Sequence, residues 1–581
     1  MRLIIDRDVA VEMRDGTVLR ADIYRPDSAE ALPVLVQRTP YDKGAPRISS
    51  LLLNPLRAAS AGYAVMVQDV RGRFASDGEF YTFRHEPDDG YDTIDWAAGQ
   101  PWSTGKVGMF GLSYVGATQW LSAIKTPPAL GAMVPVVTAS DYHEGWAYQG
   151  GAFELGFNAS WTLSNLALAT LVKRQKAGEV FPDGLRQDYF RLVDDMCQAF
   201  DTLPLQDLPL LKDYNLAPYY YDWLQHPNDD DYWQQWKIEA QYGKVTAPAL
   251  NVGGWYDIFL GGTIRNYLGM RRHGGSPEAR QFQQLLIGPW KHGLPLGSVS
   301  GDLSFGIMAE SFAIDMEGIH LRWYDHWLKG LDNGVRDDAP VRIFVMGENV
   351  WREEAEWPLA RTQYRHYYLH SGGGANSLNG DGVLSPESPG MEQPDRFLYD
   401  PRHPVPTRGG PLCCWPGALP QGPYDQTVVE HREDVLVYTT PPLREDVEVT
   451  GPILVTLYAM SSAVDTDFTA KLVDVHASGF AQNLTDGIIR ARYRESTNQP
   501  QPIEPGEVYA YTIDLWATSN VFKAGHCIRL EISSSNFPRF DRNPNTGGEL
   551  GTETNLVPAI QTIYHDGTHP SHVTLPIIPG D

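Results

Sequence analysis

The chain has 581 residues, a formal net charge of −25, and hydrophobic and aromatic contents of 42% and 11%. That length is too great for one hydrophobic core and implies roughly two to four domains, while the apolar content excludes a disordered chain. The acidic balance excludes nucleic acid and anionic membrane surfaces as partners.

Val9, Val11 and Met13 recur at a period of two, and Asp15-Gly16 then turns the chain into Leu19–Tyr24, which reads as an opening hairpin. Short, mostly valine-rich runs follow at Val34–Val36, Ala64–Val67, Val107–Phe110 and Met133–Val137, with helix-like segments between several of them. Continuous apolar strands alternating with helices predict a parallel sheet covered on both faces. From about Tyr142 to Gly243 helical runs dominate, such as Leu163–Lys173 and Leu185–Phe200. Strand–helix alternation resumes at Ala249–Val252 and continues through Leu285–Ile287 to Val341–Val345. The expected architecture is a split α/β domain carrying a helical cap. After about Trp357, Ser371–Gly374 and a scatter of Pro and Gly separate strand-like runs at Ile453–Tyr458, Thr469–Val475, Val508–Leu515 and Ile528–Ile532. This is the pattern of an all-β sandwich or jelly roll.

Four cysteines in so long a chain make no disulfide framework, and the adjacent Cys413 and Cys414 are expected not to bridge. No C-x-x-C spacing points to structural zinc. Charges in Met1–Asp8 stand where a secretory leader needs an apolar core, and no run approaches a membrane span. A cytoplasmic protein without metal or cofactor is expected.

Gly111-Leu112-Ser113-Tyr114-Val115-Gly116 lies between an apolar run and a helix-forming one. A serine at such a strand-to-helix turn, two residues after glycine, describes a nucleophile elbow, although Val115 stands where the usual G-x-S-x-G has its second glycine. Serine needs a base, and the base needs an orienting group. Asp257 and His292 each follow a strand-like run, in the order Ser, acid, His used by α/β hydrolases. Both fall where open α/β sheets place their sites. An oxyanion hole needs two donors. The Tyr114 N–H is one. The loop Gln37–Gly44 lacks the HGGG glycines of lipases and leaves the Tyr41 hydroxyl as candidate for the second, unless Tyr41 packs at a domain edge.

Longer segments carry a resemblance. They are Arg38–Lys43, Gln68–Gly72 with Ser76–Phe80, Gly108–Tyr114, Gly254–Asp257, Gly288–Trp290, Val464–Val475, Ala517–Phe522 and Ser534–Pro538. With these the chain resembles the cocaine esterase / X-prolyl dipeptidyl aminopeptidase family of α/β-hydrolase serine hydrolases. The family's elbow is similar to G-x-S-Y-x-G, which accommodates Val115 and Gly116. The resemblance implies an α/β-hydrolase domain with an inserted helical cap and a C-terminal all-β jelly-roll domain. The expected division is 1–141 and 245–354 for the hydrolase, 142–244 for the cap and 355–581 for the jelly roll.

The resemblance also implies Ser113 as nucleophile, His292 as base, Asp257 as its orienter, and the Tyr41 hydroxyl with the Tyr114 N–H as oxyanion hole. Asp69 and Arg71 are expected to form a buried structural ion pair. Trp146, Trp161 and Phe259 correspond to an acyl pocket that would suit a bulky or aromatic group. The loop that closes this pocket in the resembling proteins is bulky and apolar, whereas Leu412-Cys413-Cys414-Trp415 stands here, so Cys413 and Cys414 enter the substrate-binding set. No acid occurs in Ile258–Leu260, which argues against holding a substrate ammonium; Asp141 and Glu144 at the cap entrance are expected to be solvated or to cap a helix. A serine esterase acting on a small-molecule ester is the expectation, an X-Pro dipeptidyl-peptidase or acylase the alternative, with a homodimer allowed.

Overall fold

The computed structural model describes residues 2–45, 52–293 and 296–580, so the outer limits Met1 and Asp581 of the expected division lie outside the described residues. The valine-rich runs become strands because β-branched side chains fit a pleated, buried surface. Ten strands form the first sheet: β1 (Leu3–Glu12), β2 (Val18–Pro26), β3 (Leu32–Thr39), β4 (Ala64–Asp69), β5 (Ser103–Leu112), β6 (Leu130–Val136), β7 (Leu250–Tyr256), β8 (Gln284–Lys291), β9 (Val341–Val345) and β10 (Val350–Glu354). Their spatial order is β1-β2-β4-β3-β5-β6-β7-β8-β9-β10. From β4 to β9 neighbours pair in parallel, and antiparallel hairpins finish both edges.

β3, β4 and β7 are buried at every position, as strands covered on both faces must be. Helices α1 (Glu86–Ala98), α2 (Tyr114–Ala123), α3 (Leu260–His273) and α4 (Met316–Trp327) supply that cover. Alternation along β5 splits its contacts: Met109 joins Trp120 of α2 in one core, and Phe110 joins Trp323 and Tyr324 of α4 in another.

Between β6 and β7 the chain is mainly helical. The expected Leu163–Lys173 helix falls across a π-helical turn, Thr162–Ala167, and the α-helix Leu168–Lys176. The expected Leu185–Phe200 helix is two helices, Leu185–Asp194 and Met196–Asp201, because Asp195 leaves helical geometry (φ −107°, ψ 61°).

The second sheet contains β11 (Gln363–His370), β12 (Val383–Ser385), β13 (Asp395–Tyr399), β14 (Leu436–Thr439), β15 (Val447–Ser461), β16 (Asp467–Val475), β17 (Ala481–Arg490), β18 (Val508–Phe522), β19 (Cys527–Ser533), β20 (Ala559–Tyr564) and β21 (His572–Ile578). The order is β13-β20-β15-β21-β11-β12-β14-β19-β16-β17, with β18 paired to β15. The chain is thus an α/β-hydrolase domain with a helical cap inserted in it and a C-terminal all-β domain. Arg539 of the all-β domain reaches Gln149 at 3.0 Å and Glu154 at 3.7 Å on the cap side, and also pairs with Asp486. No helix among the described residues is long and apolar enough to cross a membrane.

The Asp69–Arg71 ion pair does not form. Asp69 ends β4 and turns inward, accepting the N–H groups of Lys43 (2.7 Å) and Ala75 (3.2 Å). Arg71 lies beyond the turn and reaches Asp89 of α1 (2.6 Å) and Asp15 of the first hairpin (2.7 Å). The acid and the base of the motif serve different partners, Asp69 tying the loops after β3 and β4 and Arg71 joining α1 to the first hairpin.

Candidate active site

β5 passes into α2 with only Ser113 between them, and Ser113 takes φ 59° and ψ −126°. An L-residue rarely holds such a conformation unless its surroundings fix it. The glycines show how this is done. Gly111 lies at φ 140°, and a Cβ on it would sit 2.2 Å from Cγ1 of Val115. A Cβ on Gly116 would sit 2.9 Å from Cβ of Thr138. Val115 therefore fills the space beside Gly111, and the close approach between α2 and the segment after β6 falls at Gly116. This is the physical reason for the G-x-S-x-x-G spacing.

Asp257 directly follows β7, and His292 directly follows β8. His292 Nδ1 donates to Asp257 Oδ1 at 2.5 Å, because an ionised carboxylate can only accept. That assignment leaves Nε2 as the acceptor for the Ser113 hydroxyl at 3.0 Å. Asp257 Oδ2 accepts the N–H of Phe259 at 3.0 Å, so both carboxylate oxygens are engaged. Asp257 is fully buried, while Ser113 and His292 each keep 8% exposure on the cavity side.

The Tyr41 ring is half-buried, and its oxygen accepts the indole N–H of Trp161 at 3.0 Å. Burial pushes the Tyr41 hydroxyl up to about 12, against the opposing influence of the adjacent Trp161 and Ser113 side chains. The hydroxyl thus keeps its proton near neutrality and can donate. Arg73 fixes the loop from below, donating to the carbonyls of Pro40 (2.8 Å) and Leu166 (2.9 Å), the latter in the cap. Tyr114 opens α2, so its N–H belongs to the donors that a helix start leaves without an intrahelical partner. Its side chain is buried: the hydroxyl donates to Glu86 at 3.0 Å and accepts the Phe83 N–H at 2.9 Å. Arg38 in turn holds Glu86 at 2.6 Å. Arg38, Arg73 and Glu86 carry no local signal of these roles, since each reaches a partner distant in sequence.

A cavity of about 930 Å³ opens over this arrangement, lined by Tyr41, Ser113, Trp161 and His292 and, from the all-β domain, by Cys413, Cys414 and Trp415. Trp146 and Phe259 lie behind that wall rather than in it. They stack on each other at 4.3 Å, and Phe259 meets the His292 ring edge-on at 5.1 Å. Trp161 packs on Phe157 and Trp146 in the same aromatic cluster.

Three expectations need correction. Cys413 and Cys414 are bridged by a disulfide. Extended neighbours point their side chains apart, but Cys414 takes φ 83°, a turn that lets the two side chains meet. Asp141 is buried, pairs with Lys237 at 2.7 Å and accepts the His143 N–H, so it is not solvated. Glu144 accepts the Gly150 N–H at 3.1 Å, and burial pushes its carboxyl up to about 7 although Arg265 is nearby. Neither carboxylate lines the cavity. Gln421, which the sequence did not single out, lies in the wall next to Cys414 and His292.

Among the described residues, Asp474, His476 and His526 of the all-β domain bring metal-ligating atoms within 4.8 Å of one another. His526 already donates Nδ1–H to Asp474 at 2.8 Å, and His476 is engaged with Gln482 at 2.9 Å. None of the three lines the cavity over Ser113.

A hydroxyl, an imidazole and a carboxylate linked in this order at the strand ends of an α/β sheet define a serine hydrolase. The family model described as X-Pro dipeptidyl-peptidase (S15 family) matches residues 15–294, and that of the X-Pro dipeptidyl-peptidase C-terminal non-catalytic domain matches residues 333–574. Cocaine esterase of Rhodococcus sp. (strain MB1 Bresler) is 41% identical over 579 residues, 98% of each chain. The chain belongs to the cocaine esterase / X-Pro dipeptidyl-peptidase family of serine hydrolases. Among solved structures, an α-amino acid ester hydrolase is 27% identical with a TM-score of 0.82, covering 99% of this chain and 96% of that one. An aminopeptidase from a marine sediment archaeon, Thaumarchaeota archaeon, is 25% identical with a TM-score of 0.81, covering 99% and 97%. One scaffold thus carries both ester and peptide chemistry, and the site must decide between them.

Proposed function

We propose that the protein hydrolyses carboxylic esters bearing a bulky apolar or aromatic acyl group, through an acyl-enzyme on Ser113. The observation that carries this reading is the Ser113–His292–Asp257 chain opening onto a cavity walled by Trp161, Trp415 and the cysteine pair. Ser113 Oγ attacks the ester carbonyl carbon as its proton passes to His292 Nε2. The tetrahedral oxyanion is held by the Tyr41 hydroxyl and the Tyr114 N–H. Collapse expels the alcohol, which takes the proton from His292. Water, deprotonated by His292, then releases the acid and regenerates Ser113. Asp257 keeps the imidazole in the required tautomer and stabilises its charged form. Trp146 and Phe259 back the wall and keep it dry.

Amino-acyl substrates fit less well. A desolvated ammonium needs a carboxylate partner. The acid in the cavity lining, Glu310, is anchored on the far wall through Oε1 by the Ser298 N–H (2.8 Å) and hydroxyl (2.5 Å), and Asp141 and Glu144 do not line the cavity. The 41%-identical relative is named for an ester substrate, which supports the same choice. The division into 1–141 and 245–354, a cap at 142–244 and an all-β domain at 355–581 is part of this proposal, supported by the mainly helical stretch between β6 and β7.

The test compares kcat/KM for p-nitrophenyl acetate, butyrate and benzoate with that for Ala-Pro-p-nitroanilide, using wild type and Ser113→Ala. Turnover of the bulky esters well above the anilide, lost in Ser113→Ala, is the expected result. Faster anilide turnover, or equal ester rates in the two proteins, contradicts it.

A further inference from the structure

The Cys413–Cys414 bridge lies in the cavity wall that also holds Ser113 and His292, and no step of ester hydrolysis uses it. Cys414 is half-buried and lines the cavity, so a reagent small enough to enter it comes up against the cysteine pair. The same loop is tied to the histidine. With its amide turned to satisfy both neighbours, Gln421 accepts the Cys414 N–H at 3.2 Å and donates to the His292 carbonyl at 3.0 Å. Cys414 holds φ 83°, a left-handed conformation that non-glycine residues keep only under constraint. The ring closed by the bridge supplies such a constraint.

We propose that Cys413–Cys414 is a site of reversible thiol–disulfide modification that sets the fit of the ester cavity, an inference that rests on the ester reading of that cavity. The reductant is a dithiol. One of its thiolates attacks a protein sulfur, the S–S bond breaks, and a mixed disulfide forms while the other cysteine leaves as thiolate. The second reductant thiolate then displaces the remaining cysteine and closes the reductant's own disulfide. The pair gains two electrons and two protons. Once the ring opens, Cys414 relaxes from φ 83°, its N–H leaves Gln421, and His292 loses that tether. The reduced pair also becomes a chelating site for trivalent organoarsenicals. Two S–As bonds form, and the oxide oxygen leaves as water with the two thiol protons. The arsenical's aryl group then occupies the cavity.

The test uses the full chain, air-oxidised and dithiothreitol-reduced, with the redox state read from the mass of the alkylated peptide containing both cysteines. Reduction is expected to lower kcat/KM for p-nitrophenyl benzoate about three- to tenfold, with a smaller change for the acetate. Phenylarsine oxide, added after anaerobic removal of the dithiothreitol, is expected to silence the reduced wild type and to spare both the oxidised form and the double variant Cys413→Ser/Cys414→Ser, which no longer responds to dithiothreitol. Cys414→Ala alone, likewise unresponsive, serves if the double variant fails to fold. Free thiols on that peptide in the oxidised protein, identical kcat/KM in the two redox states, or equal inhibition of the variants by phenylarsine oxide overturns the proposal. Absence of ester turnover in every form strikes the ester reading instead, while peptide mass and arsenical stoichiometry still decide whether the pair is a modification site.

Discussion

The two sides of the cavity are built by different rules. The floor presents Ser113 and His292, with Asp257 buried beneath the imidazole; each stands at the end of a strand in one parallel sheet, and Gly111 and Gly116 allow α2 to approach. The facing wall comes from the all-β domain as a loop, Leu412 to Gln421, shaped by a disulfide and a left-handed residue. Backbone pairing fixes the floor, so it can hold reacting atoms to the tolerance that catalysis requires. The wall is a loop closed at its base by one backbone bridge, Gly410 to Gly422, and joined to the floor through the Gln421 side chain, so sequence change between those points costs the fold little and specificity can shift. Floor substitutions should therefore act on kcat, and wall substitutions on the choice of acyl group.

The largest effect is expected at the floor. Asp257→Asn keeps the shape but favours the wrong imidazole tautomer, and kcat should fall by about 10⁴-fold with little change in KM. A loss confined to KM would contradict the role given to Asp257. Tyr41→Phe removes the donor proposed for the oxyanion and should lower kcat by about 10²–10³-fold. Steady-state kinetics with near-wild-type activity would move the second donor elsewhere. Gly116→Ala places a methyl group 2.9 Å from Cβ of Thr138, and overpacking of this kind costs about 1–3 kcal/mol. Urea unfolding should show that loss together with a reduced kcat; an unchanged midpoint would mean that the elbow tolerates displacement.

The smallest expected effect lies where cap and all-β domain meet. Burial lifts the Glu154 carboxyl to about 8, although Arg539 opposes it. Its folded-state pKa therefore lies above the ordinary 4.5, and the folded chain retains a proton that the unfolded chain releases. That contribution to stability is whole below about 4.5 and is lost as pH rises through about 8. Glu154→Gln should flatten the fall of Tm between pH 6 and pH 9, gaining most at pH 9. Parallel Tm curves for the two proteins would show that Glu154 is already ionised at pH 6.

The same division explains what could be read from the sequence. The elbow, Asp257 and His292 were legible because each depends on a strand end and a turn within a few residues. Tyr41 was open from local sequence and was favoured by resemblance; its setting depends on Trp161, 120 residues away. Partners were misread at Asp69, Arg71, Asp141 and Glu144, because topology sets them: Arg71 reaches back 56 residues to Asp15, and Asp69 takes backbone N–H groups instead of a cation. The Cys413–Cys414 bridge was missed because it needs a left-handed residue at 414, and nothing in the local sequence announces one. Trp146 and Phe259 were read as lining of the acyl pocket together with Trp161; of the three only Trp161 reaches the cavity, and the depth of the other two behind the wall is a matter of packing.

The central claim is that Ser113 carries the acyl group. Rapid mixing with p-nitrophenyl benzoate, followed by acid quench and mass analysis of the peptide containing Ser113, tests it directly. The account predicts a burst of p-nitrophenol close to one equivalent per chain, with a benzoyl adduct on Ser113 that decays at the steady-state rate. Linear release without a burst, together with no adduct on that peptide under conditions where acylation is fast, would contradict it.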